Sequence, residues 1–114
     1  MKIEQLLTII KDALEDKKAH DIEILDVRDK SSITDFMVIA TGNTGRQVIA
    51  SAQHLIEKAK SYGERPLGDE GCNVGEWVLV DLGDIIVHIM QPETRDFYQL
   101  EKLWSEVDTV SNEI

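Results

Sequence analysis

The stretch that most constrains this chain runs from Glu76 to Met90 and reads EWVLVDLGDIIVHIM. Two apolar runs, Trp77 to Leu82 and Ile85 to Met90, flank the dipeptide Gly83-Asp84. Glycine accepts the positive φ that tight hairpin turns demand, so this pair predicts a two-residue β-hairpin loop. With that loop, Leu82 faces Ile85, Val80 faces Val87 and Val78 faces Ile89. The opposite face then carries Asp81 with Ile86, Leu79 with His88, and Trp77 with Met90. Side chains on a strand alternate with period two, so the register yields one aliphatic face and one mixed face. A three-residue loop would re-sort both.

The aliphatic face is expected to be core. Three readings fit the mixed one. A helix can cover it, with His88 and Asp81 hydrogen-bonded at the margin, because sheets in α/β domains are usually covered on both sides. It can instead be a partly open platform, since Trp and Met are enriched and charge is depleted at the centres of protein interfaces. Or Asp81, Asp84 and His88 can carry chemistry.

The rest of the chain supplies partners for this hairpin. Ile3, Leu6, Leu7, Ile10 and Leu14 recur at helical spacing and predict an amphipathic helix from Lys2 to about Lys17. His20-Asp21 breaks that pattern, and IEILDV (Ile22 to Val27) predicts a strand. The polar, turn-rich RDKSSITD leads to FMVIAT (Phe36 to Thr41), apolar throughout as in a central strand. A second helix is expected to open near Thr44, with Val48, Ile49, Ala52, Leu55, Ile56 and Ala59 on one stripe and Gly63 just past its end. Glu64 to Leu67 reads as a short strand, at an edge because of Pro66. Pro92 opens a third helix, expected to run to about Trp104 with Phe97, Leu100, Leu103 and Trp104 on its apolar side. The predicted class is α/β in the α+β sense: a mixed sheet of about five strands with helices packed on it, in the order α-β-β-α-β-β-β-α. One domain over residues 1–104 and a short frayed tail over 105–114 are expected.

Charge narrows the function. The chain has 114 residues and a formal net charge of −10, from 22 acidic and 12 basic side chains. A nucleic-acid binder normally shows a basic stripe, because phosphate contacts dominate its affinity, and these basic residues are scattered. An acidic domain is instead predisposed toward a basic protein surface. No run has the length of a membrane span, and MKIEQLL resembles neither a signal nor a transit peptide. Cys72 stands alone, without metal-ligand spacing, so a reducing cytoplasm is the expected compartment.

Catalytic candidates are weak. GNTGR (Gly42 to Arg46) joins a strand to a helix and could cradle an anion, yet it lacks the Gly-Lys-Ser/Thr of a P-loop. Asp81 and Asp84 lie three residues apart, with the second in the turn, and no third carboxylate aligns with them. His20, His54 and His88 form no ligand-spaced pair, and Cys72 has no neighbouring base to activate it. No catalytic residue, metal or cofactor is assigned. Tyr98, Glu101 and Lys102 lie off the deepest apolar stripe of the third helix, where Tyr98 either enlarges the hairpin platform or forms ordinary core margin.

Three blocks together resemble a known family. SSITDFMVIATGNTGRQV (Ser31 to Val48), WVLVDLGDIIVHIM (Trp77 to Met90) and RDFYQLEKLW (Arg95 to Trp104) are similar to the ribosomal silencing factor family, RsfS, also called iojap-like, and the similarity is colinear from about Ile3 to Trp104. The resemblance implies a fold related to nucleotidyltransferases but lacking their catalytic carboxylates. It further implies binding to ribosomal protein L-fourteen on the large ribosomal subunit, a steric block to joining of the small subunit, and repression of translation when nutrients are scarce. A large-subunit assembly role at the same site is the alternative, with a nucleotidyltransferase-type enzyme a poorer one. Members also occur in mitochondria and chloroplasts, so the lack of a transit-peptide pattern points to a bacterial cytoplasmic member. The expected contact is the mixed hairpin face: Trp77 as aromatic anchor, Leu79 and Met90 as apolar surround, Asp81 or Glu101 meeting Lys or Arg, Tyr98 giving a directional hydrogen bond, and Lys102 beside them. A self-associating scaffold, in which the same face closes in a homodimer of the free protein, is a rival reading.

Overall fold

A computed structural model of the chain describes residues 2–104. The tail expected over 105–114 lies outside the described residues. The elements are α1 (Ile3–Asp16), β1 (His20–Asp26), β2 (Phe36–Thr41), α2 (Gly45–Ser61), β3 (Gly68–Glu70), β4 (Trp77–Asp81), β5 (Ile85–Met90) and α3 (Pro92–Tyr98). The strands form one sheet in the order β1-β2-β5-β4-β3, with β2 and β5 parallel and every other pairing antiparallel.

The hairpin register is the expected one. Trp77 pairs with Met90, Val78 with Ile89, Leu79 with His88, Val80 with Val87 and Asp81 with Ile86. Leu82 N–H donates to Ile85 C=O at 2.9 Å, and Gly83 takes φ +85° at the first loop position. A positive φ there matches the twist of the flanking strands. Asp81 Oδ1 accepts from Gly83 N–H at 2.9 Å, which fixes the turn from its own side chain.

The aliphatic face becomes the main core. Val78, Val80, Ile85, Val87 and Ile89 join Val38 and Ala40 of β2 beneath α1 and α2. Helix α1 contributes Leu6, Ile10, Ala13 and Leu14, and α2 contributes Val48, Ala52 and Leu55. Thr44 caps α2 by accepting from Gln47 N–H at 3.1 Å, and Gly63 follows its end at φ +85°.

Three boundaries differ from expectation. Strand β1 begins at His20 rather than Ile22, with an irregular register between His20 and Glu23 and Asp21 at φ +51°. The bulge absorbs the polar His-Asp pair without ending the strand. Strand β3 lies at Gly68–Glu70 rather than Glu64 to Leu67. Pro66 has no N–H to give, so pairing starts only beyond it, where Leu67 N–H donates to Asp81 C=O at 2.7 Å. Helix α3 stops at Tyr98 because Gln99 adopts the left-handed conformation, φ +49°, and helical structure resumes over residues 100–104. The break divides the expected apolar side. Leu100 and Trp104 pack on the sheet, whereas Phe97 and Leu103 are 77% and 59% exposed.

Candidate functional site

Among the described residues, the second face of the sheet is covered over one part only, by residues 100–104. Val27, Met37, Ile39 and Met90 form a small buried cluster, with Leu25, Trp77, Leu100 and Trp104 packed against it. Trp77, Leu79 and Asp81 of β4 are half-buried, and no helix among the described residues seals this part of the face. Glu70, Gly71, Trp77 and Leu79 line an open depression of about 440 Å³ beside it.

An aromatic row organises this region. The ring of Trp77 lies 5.8 Å from that of His88 and 4.8 Å from that of Tyr98, and Tyr98 meets Phe97 edge-on at 5.0 Å. Such tilted arrangements let the positive edge of one ring meet the negative face of the next. Trp77 Nε1–H donates to His88 Nδ1 at 3.0 Å. An indole N–H can only donate, so Nδ1 must be unprotonated and His88, when neutral, carries its proton on Nε2. His88 is 6% exposed, and burial pushes its pKa from 6.5 down to about 4.

The expected contact residues take distinct places. Trp77 and Tyr98 meet in a tilted contact, with Leu79 on the same side of β4 as Trp77, and Tyr98 is half exposed. Met90 lies opposite Trp77 at 0% exposure, so it supports the indole from within. Asp81 is occupied in its turn. Glu101 faces Arg95, with Oε2 at 3.4 Å from Nε, and Lys102 is an exposed neighbour of Glu101. The structure therefore brings Trp77, Leu79 and Tyr98 together, while Glu101 and Lys102 border a separate hollow with His20, Asp21, Thr41 and Arg95.

The residue pattern does not single out Arg95. Arg95 joins three elements, donating from Nη1 to Asp21 C=O at 2.5 Å and to Thr41 Oγ1 at 2.8 Å, while Nη2 lies 3.5 Å from Glu23 Oε2. It thereby ties α3 to β1 and β2. The hairpin register sets His88 on the mixed face without linking it to Trp77. The signal was available: residues diagonal across an antiparallel pair lie within reach of an aromatic side chain, and His88 is diagonal to Trp77.

The other candidate chemistries lack their parts. At the strand–helix junction Asn43 N–H donates to Gln47 Oε1 at 2.7 Å and Gln47 N–H to Thr44 Oγ1, so those amides are spent inside the fold. Burial, then the neighbouring Asp69 carboxylate, raises the pKa of Cys72, which keeps it a thiol. Among the described residues no group of three or more His, Cys, Asp or Glu could hold a metal ion, and no helix is long and apolar enough to cross a membrane.

The described residues thus form a mixed five-stranded sheet with two helices on one face and a partly covered aromatic patch on the other. Comparison with known proteins gives the family of the chain. A family model described as "Ribosomal silencing factor during starvation", RsfS, matches residues 1–114. The ribosomal silencing factor RsfS of Haemophilus influenzae is 50% identical over 100 residues, covering 88% of this chain and 98% of that one. A crystal structure of protein CV0518 from Chromobacterium violaceum superposes with a TM-score of 0.90 at 44% identity, covering 92% of this chain and 88% of that one. A crystal structure from Bacillus halodurans gives 0.81 at 39% identity, covering 89% and 94%. The chain belongs to the ribosomal silencing factor family.

Proposed function

We propose that this chain silences translation by binding the large ribosomal subunit through ribosomal protein L-fourteen, and that its bulk then blocks joining of the small subunit. The observation that carries the choice of surface is the Trp77–Tyr98 pair, in tilted contact at 4.8 Å on a part of the sheet that no helix among the described residues seals. Large aromatic side chains in such positions commonly dominate binding energy. The net charge of −10 suits a basic partner and speeds the encounter.

In this reading Trp77 is the anchor, Leu79 extends its apolar surface, and Met90 backs it. Tyr98 offers its hydroxyl at the rim, and Asp81, Glu101 and Lys102 provide outer charge. Residues 1–104 act as the single binding domain, with 105–114 as a tail. The free protein can pair with a second copy through the same face, in competition with the subunit, and it works in the cytoplasm. The fold is a nucleotidyltransferase relative without the catalytic carboxylates of that class.

Sedimenting the protein with separated subunits tests the proposal. The expected result is co-migration with the large subunit and reduced joining. Co-migration with undiminished joining would point to an assembly role, and no co-migration would sink the proposal. Trp77→Ala is expected to weaken binding roughly thirtyfold or more, from loss of about 2 kcal/mol. Binding by a folded Trp77→Ala variant as tight as wild type would move the site elsewhere.

A further inference from the structure

We propose that His88 is a positioning residue for partner binding, holding the Trp77 indole in one orientation and using up its only polar atom. This rests on Trp77 being the anchor proposed above. His88 sits on β5 between two paired neighbours, Ile39 of β2 and Leu79 of β4, so its backbone is held on both sides. Trp77 lies on β4, closer to the open half of the face, and is only half-buried. A bond of 3.0 Å from its indole to the buried imidazole ties the less constrained ring to the more constrained one.

The identity of residue 88 argues for a task beyond filling space. Its partners on this face are apolar, and burying a polar ring is unfavourable unless it gains a hydrogen bond. The bond it gains is the one from Trp77. Tyr98 then closes against the indole at 4.8 Å, so the ring is held by a tether inside and a tilted aromatic contact outside. Fixing an anchor before binding removes part of the ordering cost that association otherwise carries.

A consequence for the partner follows. With Nε1–H donated inward, Trp77 presents carbon surface and π density to the outside. It suits an apolar side chain, or a Lys or Arg placed over the ring, rather than a hydrogen-bond acceptor. A cation over the indole also agrees with the net charge of −10.

The test uses the full chain, ¹⁵N-labelled, carrying Trp104→Phe so that Trp77 gives the single indole resonance. The expected Trp77 indole proton is shifted downfield and protected from exchange. His88→Leu keeps the burial but offers no acceptor: the resonance should move toward that of free indole, and exchange should quicken about tenfold, the worth of one hydrogen bond. Affinity for the purified large ribosomal subunit should fall up to about tenfold, with an unchanged backbone spectrum away from the site. His88→Asn places a carbonyl oxygen near the position of Nδ1 and should restore both the resonance and the affinity, which a purely space-filling role would not predict. An unmoved indole resonance in His88→Leu, or unaltered affinity once the indole is freed, would overturn the inference. So would a folded His88→Asn that recovers neither. Trp77→Ala, run alongside, separates the causes: wild-type affinity in that variant would refute the anchor itself, whereas the indole resonance reports the tether whatever binds.

Discussion

The two faces of the central sheet are made from the same strands and do different work. One lies beneath α1 and α2 and is aliphatic, with Val78, Val80, Ile85, Val87 and Ile89 at 0% exposure. The other has a small apolar cluster under residues 100–104, and then gives way across β4 to a tethered, half-buried tryptophan. Burial of aliphatic carbon is non-directional and tolerant of small adjustments, which suits a core. Aromatic and polar groups held by directional bonds keep a surface in one shape, which suits recognition. Stability should therefore reside mainly on the first face and binding on the second, and substitutions can be aimed at either.

The largest expected effect is on the first face. Leu55 is fully buried on α2 against the aliphatic cluster. Leu55→Ala should cost about 2–5 kcal/mol, lost transfer energy plus a residual cavity, read from chemical denaturation. Affinity of the protein that remains folded should not change. A loss of affinity matching the loss of stability would mean that the faces are coupled through the sheet.

Second comes the pH dependence of the second face. His88 titrates near 4 when folded, because burial disfavours its charged form, against 6.5 for an ordinary histidine. The unfolded chain thus binds the extra proton between these values, and stability must rise with pH across that window. The contribution is complete above about pH 6.5 and is lost as pH falls toward 4, with an order of magnitude of about 3 kcal/mol. Measuring unfolding free energy from pH 7 to 4 for wild type and His88→Leu isolates it, since other groups titrate in both. Parallel curves would show that His88 does not resist protonation in the fold.

These contrasts explain what could be read from residues alone. The hairpin register was legible in full because a two-residue turn and period-two alternation leave one arrangement that keeps Val78, Val80, Val87 and Ile89 together. The position of β3 was not: Gly68, Asp69 and Glu70 have poor strand propensity and pair because β4 offers an open edge at Leu79 to Asp81. The stop at Gln99 left no local trace either. Its left-handed backbone is unusual for glutamine and is sustained by tertiary fit, as Leu100 and Trp104 reach the sheet and Arg95 bridges to β1. At the candidate site, Trp77 and Leu79 followed from pattern. The Arg95 network required knowing that α3 lies over the bulge at Asp21.

The smallest expected effect tests the first face by exception. Ser51 lies on the buried stripe of α2 between Val48 and Leu55, at 0% exposure, and its Oγ has no hydrogen-bond partner among the described residues. A buried hydroxyl without a partner forfeits its hydration and gains nothing in return. Alanine keeps the small volume that this position requires and is the better helix former. Ser51→Ala should therefore stabilise the protein by about 1 kcal/mol and leave subunit binding untouched, as measured by denaturation and sedimentation. A destabilised Ser51→Ala would mean that the hydroxyl does have a partner in solution, and that the aliphatic face includes a polar contact. The opposite sign expected for Leu55→Ala on the same helix makes the pair a direct measure of how far that face depends on apolar packing alone.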